Sequence, residues 1–290
     1  MRNLSHLQIL QESGGIGLAL PFRVVSIGED VPEGVYYKIF SSHCKAVNFI
    51  WQNQVFSVCC RTLSQGPYRI VVDTDDVSSI LSVCYENGSI KLNDHPCDTS
   101  GMVKFSVPAF VPQLTSPTRK ARIEDSRRFL VRHLPPQSVG FLLRTSNPGK
   151  QTFDQALGSL YQRGLDHFES GEYALGVKCF KGRGYGFTPG GDDFLAGFML
   201  GAAWIQHLQK KRLSEIMAIL LYESLSDNCL TNTFLLQAYH LKPDQVWVDF
   251  LLALESDSGI LQDLILDIAS SGATSGYDTL SGFYSAWEIL

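Results

Sequence analysis

The sequence has no basic surplus, no zinc or redox cysteine spacing, no metalloprotease histidine pair and no apolar run of membrane-spanning length. Its 24 Lys and Arg stand against 29 Asp and Glu, a formal net charge of -5, whereas a chain that grips nucleic acid by its phosphates concentrates positive charge. The one basic cluster, Arg119, Lys120, Arg122, Arg127 and Arg128, is interrupted by Glu124 and Asp125 and reads as a solvated helix face. Nucleic acid is therefore not expected as a partner. The seven cysteines (Cys44, Cys59, Cys60, Cys84, Cys97, Cys179 and Cys229) never form CxxC, so they read as reduced thiols that pack as small hydrophobes in a cytosolic chain. Seven histidines give no HExxH spacing, and no SxxK pair or serine elbow occurs, so neither a metal ligand set nor a covalent nucleophile is expected. The longest apolar run, Phe194 to Ile205, is shorter than the roughly 18 residues of a membrane span and reads as a buried helix. The first residues mix Arg2, His6, Gln8, Gln11 and Glu12 into apolar positions, unlike a secretory signal. These absences together predict a cytoplasmic protein with no membrane partner.

What is present is an ordinary globular composition, 44% apolar and 18% charged over 290 residues, enough for a sizeable core and for two packed units. Up to about Leu114, short segments rich in Val, Ile, Tyr and Phe alternate with turn residues: Phe22 to Ile27, Val35 to Phe40, Val55 to Cys60, Tyr68 to Val72, Ile80 to Tyr85 and Met102 to Val107. Gln65-Gly66-Pro67 and Glu86-Asn87-Gly88 are turn chemistry. This grammar predicts a small β-barrel or sandwich. At Leu114-Thr115-Ser116-Pro117 helical spacing takes over, with helices expected at Arg119 to His133, Thr152 to Glu169, Asp192 to Gln209, Leu213 to Ser224, Asp227 to His240, Pro243 to Glu255, Gly259 to Ser270 and Thr279 to Ile289. The expected fold class is α+β, with a β-rich domain over residues 1–116 and an all-helical domain over 117–290.

The densest chemical signal is Lys181-Gly182-Arg183-Gly184-Tyr185-Gly186-Phe187-Thr188-Pro189-Gly190-Gly191-Asp192-Asp193. Glycines permit positive φ and close backbone approach at an entropic cost, so such a cluster needs a reason. One reason is a nest of N–H groups for an anion at a helix N-terminus, with Lys181 and Arg183 as cationic donors and Thr188 as a hydroxyl. The other is a connecting loop whose aspartates only cap the helix. The loop is neither a Walker motif nor a dinucleotide fingerprint. Gly191, Asp193, Leu195 and Gly197 recur as Gly276, Asp278, Leu280 and Gly282, an identical GxDxLxG pattern with a Thr in each lead-in, Thr188 and Thr274. Small residues one helical turn beyond each aspartate predict that the two helices pack together and bring both N-termini to one pocket. The candidate catalytic residues are thus Asp192, Asp193 and Asp278. Lys181, Arg183, Gly184, Gly186, Thr188, Gly190, Gly191, Thr274, Ser275 and Gly276 are the candidate ligand-binding residues.

In this loop the sequence resembles a bacterial family whose hallmark reads approximately GxGxGLTPSGDDFLxG; here it runs from Gly182 to Gly197, with Phe187 in place of Leu and Gly190 in place of Ser. Further agreements are Lys45-Ala46-Val47-Asn48-Phe49, Gln65-Gly66-Pro67 and Gly272-Ala273-Thr274-Ser275-Gly276-Tyr277-Asp278, while the helix start Leu230-Thr231-Asn232-Thr233-Phe234 departs from the family's Thr- and Ser-rich pattern. Its best understood members resemble the third, AllH-type, subunit of oxamate carbamoyltransferase in anaerobic allantoin breakdown, a route of purine nitrogen catabolism. The resemblance implies carbamoyl exchange between oxalurate and phosphate, giving oxamate and carbamoyl phosphate, with a small anionic substrate and other carbamoyltransferase subunits as partners. It assigns no residue roles. A non-catalytic assembly or ligand-sensing subunit and a different transferase or lyase are the alternatives. No cofactor is called for, and magnesium and a homo-oligomer stay open.

Overall fold

The computed structural model describes residues 22–143 and 152–290, the side chains of 152–154 excepted. The N-terminal reading at Arg2 to Glu12 lies outside these residues. Among the described residues ten short strands come first: β1 (Val24–Gly28), β2 (Gly34–Tyr36), β3 (Ile39–Ser42), β4 (Ala46–Trp51), β5 (Gln54–Cys60), β6 (Arg69–Val72), β7 (Val83–Glu86), β8 (Ser89–Leu92), β9 (His95–Pro96) and β10 (Val103–Phe105). They form a mixed six-stranded sheet in the order β10-β1-β6-β5-β4-β3 and an antiparallel four-stranded sheet in the order β2-β7-β8-β9. Both sheets supply one apolar core, with Val47, Phe49, Phe56, Val58 and Ile70 from the first and Val83, Ile90 and Leu92 from the second. Alternation along each strand sends these residues inward. The described strands form no closed barrel; two sheets over a shared core is the sandwich alternative. The segment expected as one strand from Val35 to Phe40 is split: β2 joins the small sheet and β3 the large one, because the chain changes sheets at Tyr37 and Lys38.

Nine α-helices follow among the described residues: α1 (Ser116–His133), α2 (Thr152–Glu169), α3 (Tyr173–Phe180), α4 (Gly190–Gln209), α5 (Ser214–Ser224), α6 (Cys229–Tyr239), α7 (Gln245–Leu254), α8 (Leu261–Ala269) and α9 (Ser275–Ile289), with a 3-10 turn at Val139–Leu143. The fold class is α+β. Helix α1 begins three residues before the expected Arg119, since Pro117 is suited to a first turn that needs no N–H donor. Its basic cluster is not a plain solvated face. Arg119 is buried and paired with Glu255, Nη2 to Oε2 at 2.7 Å, and Arg122 donates to the carbonyls of Ala253 (3.1 Å) and Ser258 (2.6 Å). These two arginines fasten α1 to the end of α7.

Helix α4 is the axis of the helical part, buried continuously from Gly190 to Ile205; no helix among the described residues is long and apolar enough to cross a membrane. Its most extensive partner is α9. The closeness is set by glycine: a Cβ on Gly197 would collide with the Thr279 carbonyl, one on Gly282 with the Phe194 carbonyl, and one on Gly201 would stand 2.8 Å from both Ala286 Cβ and the Phe283 carbonyl. The expected pairing through Gly197 and Gly282 is thus the contact observed. Helix α9 starts at Ser275, ahead of the expected Thr279.

Candidate functional site

The Gly-rich loop leaves α3 at Phe180 and enters α4 beside Phe194, and these two rings stack with centroids 4.3 Å apart and planes 3° from parallel. The stack pins both loop ends. Between them Gly182, Gly184 and Gly186 have φ of 65°, 111° and 94°, a region that side-chain-bearing residues rarely enter. A Cβ on Gly191 would collide with the Phe180 carbonyl, and one on Gly184 would stand 2.9 Å from the Gly190 nitrogen. Both glycines are therefore required by backbone crowding.

The loop supplies its own anion. Asp192 Oδ1 accepts the Gly182 N–H at 2.7 Å, and burial pushes this carboxyl above the usual range against the opposing effects of that bond and of Lys181. Lys181 turns away from the loop: its ammonium donates to the Glu223 carbonyl (2.9 Å) and the Leu225 carbonyl (2.5 Å), capping the end of α5. The Arg183 side chain is exposed, while its carbonyl accepts from Tyr161 Oη (2.8 Å) and the Gly191 N–H (2.9 Å).

Asp193 and Asp278, the matching members of the two repeats, are 4% and 1% exposed. Asp193 accepts from Thr188 Oγ1 at 3.2 Å and is hydrogen-bonded to Ser275. Desolvation, with the neighbouring Asp278 charge adding to it, pushes Asp193 up to about 7. Asp278 accepts from Ser138 Oγ (2.6 Å) and the Val139 N–H (2.7 Å), is also bonded to Thr274, and is pushed by burial up to about 6. A Cβ on Gly190 would stand 2.8 Å from Asp278 Oδ2, so this glycine lets α4 begin against the carboxylate of α9. Gly276 packs on the Ile268 carbonyl of α8. The two repeats are the same device: a helix, a Gly-containing turn, and a second helix whose first-turn aspartate lies at a shared junction.

Beside this junction, a cavity of about 200 Å³ is lined by Asp193, Ser275, Gly276 and Thr279 together with Gln237, Asp244 and Trp247 of the helical part and Arg69 of β6. Arg69 forms an ion pair with Asp244, and its Nη1 donates to Ser64 O (2.9 Å) and Oγ (3.0 Å). Asp244, which falls just inside the helix expected from Pro243, instead occupies the cap position of α7 but makes no cap bond; its carboxylate lies so close to Gly66 that a side chain there would collide with Oδ1. A second cavity of about 160 Å³ adjoins the first across Leu63, Arg69, Phe234 and Gln237, and runs between β4, β5 and α6 past Asn48, Ser57 and Cys59. No group of three His, Cys, Asp or Glu among the described residues is arranged to hold a metal ion.

Residues 180–287 match the family model of the oxamate carbamoyltransferase subunit AllH. The segment begins at Phe180 of the ring stack and ends at Trp287 of α9, so it contains the Gly-rich loop, both GxDxLxG copies and the helices between them. In this segment the chain resembles the AllH-type subunit, a component of a carbamoyltransferase. No curated protein and no solved structure matches the chain.

Of the residues expected at the site, the structure gathers Thr188, Gly190, Asp193, Thr274, Ser275, Gly276 and Asp278 at the junction of α4 and α9. It keeps Lys181 and Arg183 off the walls of both cavities. Arg69, Gln237 and Asp244 are the polar residues that sequence reasoning missed. Gln65-Gly66-Pro67 was the nearest signal for the first of them, and Gln237 has none.

Proposed function

We propose that this chain serves as a subunit of a carbamoyltransferase-type enzyme and holds a small anionic substrate of oxamate or carbamoyl phosphate chemistry in the cavity between the strands and the α4/α9 pair. The match of residues 180–287 supports the enzyme class. One observation supports the location: Asp193 and Ser275, one from each repeat, share a cavity wall with Arg69. A carbamoyl group presents N–H donors and a carbonyl acceptor; a buried carboxylate meets the first, while a guanidinium and hydroxyls meet the second and any attached anion. The chain acts by positioning and electrostatics, with no covalent intermediate. In this reading the Gly-rich loop fixes the first turn of α4, and with it Asp193.

Isothermal titration calorimetry of the full chain with oxamate, inorganic phosphate and carbamoyl phosphate tests the proposal. Binding of at least one is expected. Heat from none of the three overturns the ligand assignment.

A further inference from the structure

The two adjoining cavities differ in charge. The first is walled by Arg69 but also by Asp193 and Asp244; among the residues that line the second, Arg69 alone carries a charge. The other polar groups of the second cavity, Asn48, Ser57, Tyr68, Thr233 and Gln237, are neutral hydrogen-bonding side chains. Gln237 lines both spaces, is 8% exposed, and has no side-chain hydrogen-bond partner among the described residues. Its carboxamide borders open space in place of a protein partner, so between the two cavities it has both N–H donors and a carbonyl acceptor to offer a ligand. At the Cys59 thiol, in the wall of the second cavity, burial dominates and pushes the thiol up to about 11, while the Arg69 charge draws it down against Asp244 and Cys60.

Resting on the carbamoyltransferase reading above, we propose that the second cavity is the anion subsite of this chain: it receives the carboxylate or phosphate end of a small substrate whose N–H-bearing end faces Asp193 across Arg69 and Gln237. Two acidic side chains make the first cavity the poorer host for negative charge and the better one for an amide N–H. Gln237 sits where the ligand must cross; its N–H₂ serves the anionic end and its carbonyl the amide end. The subsite thus draws on Asn48 and Ser57 of the strand-rich half, outside the matched segment.

Calorimetry with three probes separates the alternatives: oxamate carries both ends, inorganic phosphate only the anion, and the neutral diamide oxamide only N–H donors and carbonyls. Gln237→Glu and Asn48→Asp each add one carboxylate to the second cavity in nearly the same shape. In the latter variant the new carboxylate still accepts from the Ser57 hydroxyl, while the Ser41 hydroxyl, which accepts from Asn48 Nδ2, has to turn and donate instead. At about pH 8, where the new acids are ionised, each substitution should weaken oxamate and phosphate by about tenfold or more through like-charge contact, and leave oxamide unchanged. Circular dichroism and thermal melts establish that the variants fold. Oxamide binding as tightly as oxamate, or wild-type anion affinity in both folded variants, overturns the subsite. If the anions bind and instead respond to Arg183→Ala, the anion lies at the Gly-rich loop and the carbamoyltransferase reading survives alone; if neither these probes nor carbamoyl phosphate binds the wild-type chain, the subsite and the ligand assignment both fall.

Discussion

Gly197 on α4 lies against the carbonyl of Thr279 on α9, and Gly282 on α9 lies against the carbonyl of Phe194 on α4. Each glycine follows its repeat's aspartate by four residues and each carbonyl belongs to the residue just after the aspartate, so the contact is reciprocal. A side chain at either glycine must drive the two helix backbones apart. Gly197→Ala and Gly282→Ala should each cost about 3 kcal/mol or more in urea unfolding, the upper range of overpacking. Gly259→Ala, where a Cβ meets nothing within 4 Å, should be close to neutral and serves as control. A loss at Gly197 no larger than the control's would show that the pair is not held this closely.

Asp193 and Asp278 sit at about 7 and about 6 in the folded state, against 3.8 for a free aspartate. Between pH 4 and 7 the folded chain therefore holds protons that the unfolded chain has released. The stabilisation associated with these groups is complete below the unfolded value and is lost as pH rises through the folded values. Because the two carboxyls interact, they titrate as a pair. Asp193→Asn should thus be more stable than the parent above pH 7, by roughly 2 to 4 kcal/mol, and the advantage should vanish near pH 4. Urea unfolding at several pH values measures it; an advantage that grows towards acid pH would contradict the burial argument.

The Arg69–Asp244 ion pair joins β6 to the start of α7. Removing one partner leaves an uncompensated charge in a confined space, so Arg69→Met alone should destabilise by about 3 kcal/mol, while Arg69→Met with Asp244→Leu should recover much of that loss. A double variant as unstable as the sum of the two single ones would mean that the residues act independently.

Asp192→Ala takes the acceptor from the Gly182 N–H. The cost should be about 1 to 2 kcal/mol, and hydrogen exchange at Gly182 should accelerate while the amides of α4 beyond Phe194 keep their protection. Unchanged exchange at Gly182 would show that the bond does not restrain the loop.

Asn228 caps α6, its side chain accepting from Leu230 N–H (3.1 Å) and Thr231 N–H (3.3 Å). Asn228→Ala should cost about 1 kcal/mol in unfolding experiments, and Asn228→Asp should recover most of it.

The parts of the fold that were legible are those whose cause is local or leaves a mark in composition. Helix α2 matches its expected span because its period is regular, and the α4/α9 contact could be foreseen because close backbone approach demands glycine at fixed spacing. Helix α3 was missed: Tyr173–Phe180 is short, largely apolar and interrupted by Gly176, so no polar face marks its period. The site was legible only on the helical side. Asp193, Ser275 and Gly276 come from motif-bearing turns, whereas Arg69 faces Asp244, and Asn48 shares a cavity with Gln237, only because β5 packs on α6 and the turn before β6 meets the start of α7. Pairings of that kind depend on tertiary geometry and place no pattern in the chain. In the loop the partners were likewise hidden: nothing in the spacing shows that Asp192 accepts the Gly182 N–H or that Lys181 donates to the end of α5.

The reciprocal glycine seam also sets an order of events during synthesis. Helix α4 is apolar on nearly every side, yet the surface that covers it along the seam belongs to α9, which the ribosome makes only after α5, α6, α7 and α8. Until then the groove around Gly197 and Gly201 has no native occupant, and a contact so distant along the chain forms slowly because the intervening segment must first be closed into a loop. A nascent chain halted before α9 therefore presents an open apolar channel, the kind of surface that chaperones hold and that otherwise leads to aggregation. Release from that state should coincide with the arrival of Gly282.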